Sequence, residues 1–126
     1  MKEVVFDAGA LIALERGQRD VRAYVFLAER GLATLTTSSA VVAQVWRGGA
    51  RQVRLARFLS SDLITEIPLG PEASRRIGLL AAAVGGSDVV DGHVASLALK
   101  RDAIVVTSDP GDIALWGVEA PRIVRC

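Results

Sequence analysis

Short apolar runs alternate along this chain with longer stretches in which apolar residues recur every three or four positions. Val4-Val5-Phe6 is the first run, with charge before it and Asp7-Ala8-Gly9 after it. That is the profile of a buried strand feeding a helix. Residues 10–16 and 19–30 read as helices, the second closed by Gly31 in the C-cap role. Residues 32–37 are rich in β-branched side chains and form a second strand. Ser38 or Ser39 caps a helix over 40–47 that ends at Gly48-Gly49. Residues 51–60 are amphipathic, with Val53, Leu55, Phe58 and Leu59 as the apolar members. A strand is expected over 63–69, and Pro71 opens a helix that runs to about Val84. Gly85-Gly86-Ser87 breaks the chain before a helix over 88–100, in which Val90, Val94 and Leu97 keep helical spacing. Residues 103–107 give the clearest strand, Ser108-Asp109-Pro110-Gly111 a turn, and 122–124 a last edge strand. Strands separated by helices predict βαβ units, hence an α/β fold with a parallel sheet covered on both faces.

The length, 126 residues, suits one domain over 1–126, and no repeat or linker divides it. Hydrophobic residues make up 51% of the chain, enough to pack a core without disulfides or a structural metal. No apolar run approaches the roughly 18 residues of a membrane span, and Asp7 interrupts any signal-peptide pattern, so the chain reads as cytoplasmic. Its lone cysteine, Cys126, and lone histidine, His93, exclude a Cys/His zinc site. The net charge is only +1, but thirteen of the fifteen basic residues are arginine, whose planar fork suits phosphate.

Ligands of such sheets bind beyond the carboxyl ends of the strands. Asp7 follows the first strand directly, and Asp109 lies two residues past Thr107 at the end of a later one. Asp88 and Asp91 open the helix between, and their spacing puts both carboxylates on one side of its first turn. Carboxylates converging on one point repel each other unless a hard cation neutralises them, and an all-oxygen set favours Mg²⁺ or Mn²⁺. Such an ion can orient a nucleophilic water at a phosphodiester. No Ser-His-Asp triad or Walker-type lysine loop offers another chemistry. Each aspartate also has an ordinary use: Asp7 as a helix cap, Asp88 and Asp91 as first-turn acids, Asp109 as a turn residue.

Three segments resemble the motifs of PIN domains. Val4-Val5-Phe6-Asp7-Ala8-Gly9-Ala10-Leu11-Ile12-Ala13-Leu14 is similar to the opening strand–Asp–helix motif. Asp91-Gly92-His93-Val94-Ala95-Ser96-Leu97-Ala98 resembles the later acidic helix start. Val105-Val106-Thr107-Ser108-Asp109-Pro110-Gly111-Asp112 resembles the following V-T-x-D motif. Order, spacing and length match the compact VapC-type toxins of bacterial toxin–antitoxin pairs. The resemblance implies a three-layer α/β/α domain with a central parallel sheet, and an Mg²⁺/Mn²⁺ site formed by Asp7, Asp91 and Asp109. It implies an endoribonuclease that cuts structured RNA, forms a homodimer and is silenced by a VapB-type antitoxin. Thr107 matches a hydroxyl position beside the metal cluster, and Asp88 and Asp112 are auxiliary acids. One departure stands out: the family usually has a glutamate where Ala43-Gln44-Val45-Trp46-Arg47 offers Gln44. An amide keeps an acceptor oxygen but loses the charge. The alternative function is therefore a catalytically weak PIN module that binds RNA or a protein without cutting.

Arg47, Arg51, Arg54 and Arg57 recur every three or four residues, either as a stripe for RNA or an antitoxin or as a solvated face. His93 is offset from Asp91 by about 200° around the helix and reads as packed rather than catalytic. Trp46 and Trp116 read as core or dimer contacts. The apolar content of 10–14 and 21–27 suggests surplus surface for a homodimer.

Overall fold

The computed structural model describes all 126 residues. Val4, Val5 and Phe6 have no exposed surface at all, so the first strand needs cover on both faces and neighbours on both edges. β1 (Lys2–Phe6) has them, as the central strand of a five-stranded sheet. β2 (Ala33–Ser38) and then β3 (Ile64–Ile67) lie on one side of it. β4 (Ile104–Thr107) and then β5 (Ile123–Arg125) lie on the other. Every pairing is parallel. Phe6 aligns with Thr37 of β2 and with Val106 of β4.

The chain runs outward from β1 to β3 and then jumps back across the sheet to β4. Because such crossovers are right-handed, the first connecting helices and the later ones cover opposite faces. α1 (Ala8–Glu15) and α2 (Arg19–Glu29) belong to the first set. α5 (Pro71–Val84) and α6 (Val89–Arg101) belong to the second. The reversal leaves the carboxyl ends of β1 and β4 side by side, where open α/β sheets bind ligands.

α3 (Ser39–Val45) is capped by the Ser38 hydroxyl, which accepts from the N–H of Ala40. It stops at Val45, two residues short of the expected end. The cause is Gln52, which is buried. Its Oε1 accepts from the N–H groups of Arg47 (2.8 Å) and Gly48 (2.9 Å), and its Nε2 donates to the Val45 carbonyl (2.8 Å). One amide thus does the work of a helix cap for the loop before α4 (Val53–Leu59). The expected turn at 108–111 is instead the entry to a short helix, α7 (Pro110–Ala114). Asp-Pro-Gly is a turn signal, but Pro110 at the first helical position is equally a helix start.

The expectation of surplus apolar surface on the first helix is corrected. Ala10, Leu11, Ala13 and Leu14 are all buried in the main core. The exposed large apolar side chains lie elsewhere, among them Phe26, Leu79, Val89 and Leu99. Trp116 is core, whereas Trp46 is 42% exposed. No single helix is long and apolar enough to cross a membrane.

Candidate active site

Asp7 is buried at the end of the central strand and both carboxylate oxygens are committed. Oδ1 accepts from the N–H of Ala8 at 2.8 Å, and Oδ2 accepts from the Thr107 hydroxyl at 2.7 Å. The same Thr107 oxygen accepts from the N–H of Asp109 at 3.0 Å. One buried hydroxyl therefore couples the acid after β1 to the acid after β4. The two segments also touch through Gly9: a β-carbon there would stand 2.7 Å from the backbone nitrogen of Ser108 and 2.5 Å from its Oγ. Only glycine permits that approach.

Asp88 is the N-cap of α6, its Oδ1 accepting from the N–H groups of Val90 and Asp91. Asp91 sits half-buried in the first turn. Gly86 and Gly92 fix where this turn lies, because both back onto the Trp116 indole. A β-carbon at either would come within 2.8 Å of the ring. The ring thus registers the loop before α6 and its first turn against the segment after α7.

The acids respond to one another. Burial raises the Asp7 carboxyl above its ordinary range, opposed by its two hydrogen bonds and reinforced by Asp109 and Asp88. Asp91 is pushed up to about 7, first by burial and then by the charges of Asp88, Asp7, Asp112 and Asp109. Five aspartates thus share one neighbourhood at the carboxyl edge of the sheet. None of them is in an ion pair: the ion pairs of the protein are Arg76–Glu72 and Arg122–Asp102, and the nearby Arg125 donates to the Ser108 carbonyl at 3.4 Å.

The expected three-aspartate ligand set is not closed in this arrangement: no group of three His, Cys, Asp or Glu side chains stands close enough to hold a metal ion. The donor chemistry nevertheless fits a hard cation. All donors are carboxylate oxygens, none is in an ion pair, and Mg²⁺ keeps several waters and needs only one or two direct carboxylates.

The remaining candidates divide. Thr107 joins the cluster, and Asp88 and Asp112 reach it through their charge on Asp91. Gln44 is exposed on the last turn of α3, with no hydrogen bond to any of the acids. Arg47 donates to the Ala43 and Trp46 carbonyls. Arg54 lines a groove of about 540 Å³ with Arg19, Arg22, Phe26 and Phe58, and with Arg51 and Arg57 it lines a second cleft. None of these arginines pairs with the acids. His93 is packed, its Nδ1 2.6 Å from the Ser38 hydroxyl, and burial with Arg76 and Arg101 nearby lowers its pKa. Sequence reasoning missed Thr37, whose hydroxyl donates to the Phe6 carbonyl at 2.8 Å beside Asp7. The signal was present: three consecutive hydroxyl residues close a strand that is otherwise core.

The PIN-domain family model matches residues 4–113. The chain belongs to the PIN-domain family. No curated protein sequence matches it. Among solved structures, this PIN domain is similar to a chain in the crystal structure of VapBC2 from Rickettsia felis bound to a DNA fragment from their promoter. That match has a TM-score of 0.67 at 17% identity, covering 98% of this chain and 97% of that one. It is also similar to a chain of FitAcB from Neisseria gonorrhoeae, with a TM-score of 0.61 at 18% identity and 96% coverage of both. At these identities the likeness shows that the PIN domain shares their fold. The expected α/β fold with an all-parallel sheet is what the structure has.

Proposed function

We propose that this PIN domain, acting as one unit over 1–126, is a divalent-metal-dependent endoribonuclease and the cytoplasmic toxin of a type II toxin–antitoxin pair. One observation carries the reading. Asp7, Asp91 and Asp109, with Asp88 and Asp112, lie within reach of one another's charge at one sheet edge, and none is in an ion pair with a basic side chain. Mg²⁺ or Mn²⁺ bound there supplies charge for the phosphodiester and an activated water. Asp7, Asp91 and Asp109 would hold it. Thr107 prevents the Asp7 carboxylate from turning away, and the Asp88 cap fixes the backbone that presents Asp91.

The partner that fits this role is a VapB-type antitoxin. The groove at Arg19, Arg22 and Arg54 offers it an apolar floor with a basic rim. The exposed Leu79, Val89 and Leu99 are available to a homodimer contact.

A second reading has its own support. Gln44 stands where the resemblance to PIN motifs implies an acid, and the open spacing of the aspartates suits a module that binds RNA without cutting it. Incubating structured RNA with the wild type and Asp7→Asn, each with Mn²⁺ or with chelator, separates the two. Cleavage by the wild type in Mn²⁺ alone is the expected result, with at least about a hundredfold loss in Asp7→Asn. Cleavage that persists in chelator or in the variant overturns the enzyme reading. RNA retention without cleavage establishes the second.

A further inference from the structure

On α6, His93 and Lys100 lie roughly 180–200° around the helix from Asp91, at 100° per residue. There, between α6 and the start of α5, is a cavity of about 300 Å³. Its lining includes Arg76, His93, Ser96, Lys100 and Arg101, and only one acid, Glu72. That acid does not neutralise it. Its side chain is 95% exposed, and its carboxylate stands 3.9 Å from Arg76, a long surface contact.

Arg101 makes the imbalance specific. Its Nη1 is the one buried side-chain nitrogen or oxygen in the protein with no hydrogen-bond partner. Other buried polar side chains have partners: Asp7 has Thr107, Gln52 its loop and His93 Ser38. A buried donor without an acceptor costs about 1–3 kcal/mol, more when it is charged, and an unmet one in a native fold calls for an unseen partner. The next residue, Asp102, pairs instead with Arg122, through its carboxylate at 2.7 Å and its carbonyl at 2.8 Å, and makes no ion pair with Arg101. The cavity also meets the start of α5, a 14-residue helix whose N-cap, Gly70, has no side chain to offer the first-turn N–H groups. Water filling the cavity would leave three positive charges around one space.

We propose that this cavity binds a phosphoryl group through Arg101, Arg76 and Lys100, with the α5 N-terminus completing the cradle. The site is separate from the aspartate cluster and does not depend on nuclease activity. The phosphoryl group comes either from an RNA backbone at a distance from the acids or from a small phosphorylated molecule.

The test is run on the full chain in chelator, so the proposed chemistry cannot contribute. Inorganic phosphate and pyrophosphate are titrated while the backbone amides of 70–73 and the Arg101 side-chain N–H signals are followed by NMR. Saturable shifts at both places are expected, with affinity at least about tenfold weaker in the Arg76→Gln/Lys100→Gln double variant. Both of those residues are exposed, so the variant keeps its fold even if Arg101→Gln does not. Shifts that never saturate, or that are equal in the double variant, overturn the site. A second arm measures binding of a short RNA against salt. An RNA source predicts that the log–log salt slope falls by about one per phosphate contact removed. A small-molecule source predicts pyrophosphate binding lost while the slope is unchanged.

Discussion

Thr107 shows how much one hydroxyl can organise. It donates to Asp7 and accepts from the Asp109 backbone, so replacing it removes a donor and an acceptor from a dry place. Valine has nearly the same shape, which isolates the polar effect from cavity formation. Thr107→Val should therefore destabilise the protein by about 1–3 kcal/mol, as the buried Asp7 oxygen loses its partner. Urea denaturation in chelator measures it, and a change within about 0.5 kcal/mol would show that water substitutes for the hydroxyl. The pairing was half legible in the sequence. Asp7 and Asp109 stand out because each closes an apolar run. The coupling through Thr107 appears only once β1 and β4 are known to be neighbours, and that depends on which strand the chain crosses back to. The arginine spacing at 47–57 left a binding stripe and a solvated face both open; the structure sends Arg47 to local carbonyls, apart from Arg51, Arg54 and Arg57.

Elements meet here at glycines. Helix propensity alone favours Gly9→Ala in α1 by about 1 kcal/mol. The added β-carbon would stand 2.7 Å from the Ser108 backbone, which has no rotamer to yield. Overpacking of that kind costs roughly 1–3 kcal/mol, so the steric term wins. Gly9→Ala should lower the melting temperature and reduce any metal-dependent cleavage more than it lowers stability, because it parts the segments bearing Asp7 and Asp109. A variant as stable and active as the wild type would show that α1 simply slides. Strands were the elements most visible in the sequence, since buried parallel strands are continuous apolar runs such as Val4-Val5-Phe6. The short α7 was hidden because Asp-Pro-Gly serves turns and helix starts alike. The end of α3 was hidden because the residue that stops it comes seven positions later.

At the scale of the whole molecule, the five aspartates make stability depend on acidity. Asp7 and Asp91 both have raised pKa values, so the folded protein holds more protons than the unfolded chain between about 4 and about 7. Stability then falls as pH rises through that window and stays at its reduced level above it. A divalent cation that binds the ionised cluster acts in the opposite sense. In chelator the melting temperature should drop from about pH 5 to about pH 7.5, and the increase caused by Mn²⁺ should be larger at the higher pH. A melting temperature indifferent to both would mean that the acids are solvated independently.

The indole of Trp116, lying against Gly86 and Gly92, also sets an order of events during synthesis. Asp7 leaves the ribosome first, yet its partners Thr107 and Asp109 arrive about a hundred residues later. The turn that carries Asp91 finds its seat only after residue 116 has emerged. A nascent chain is thus without its acidic centre for most of its translation, and the centre forms only when the chain is nearly finished.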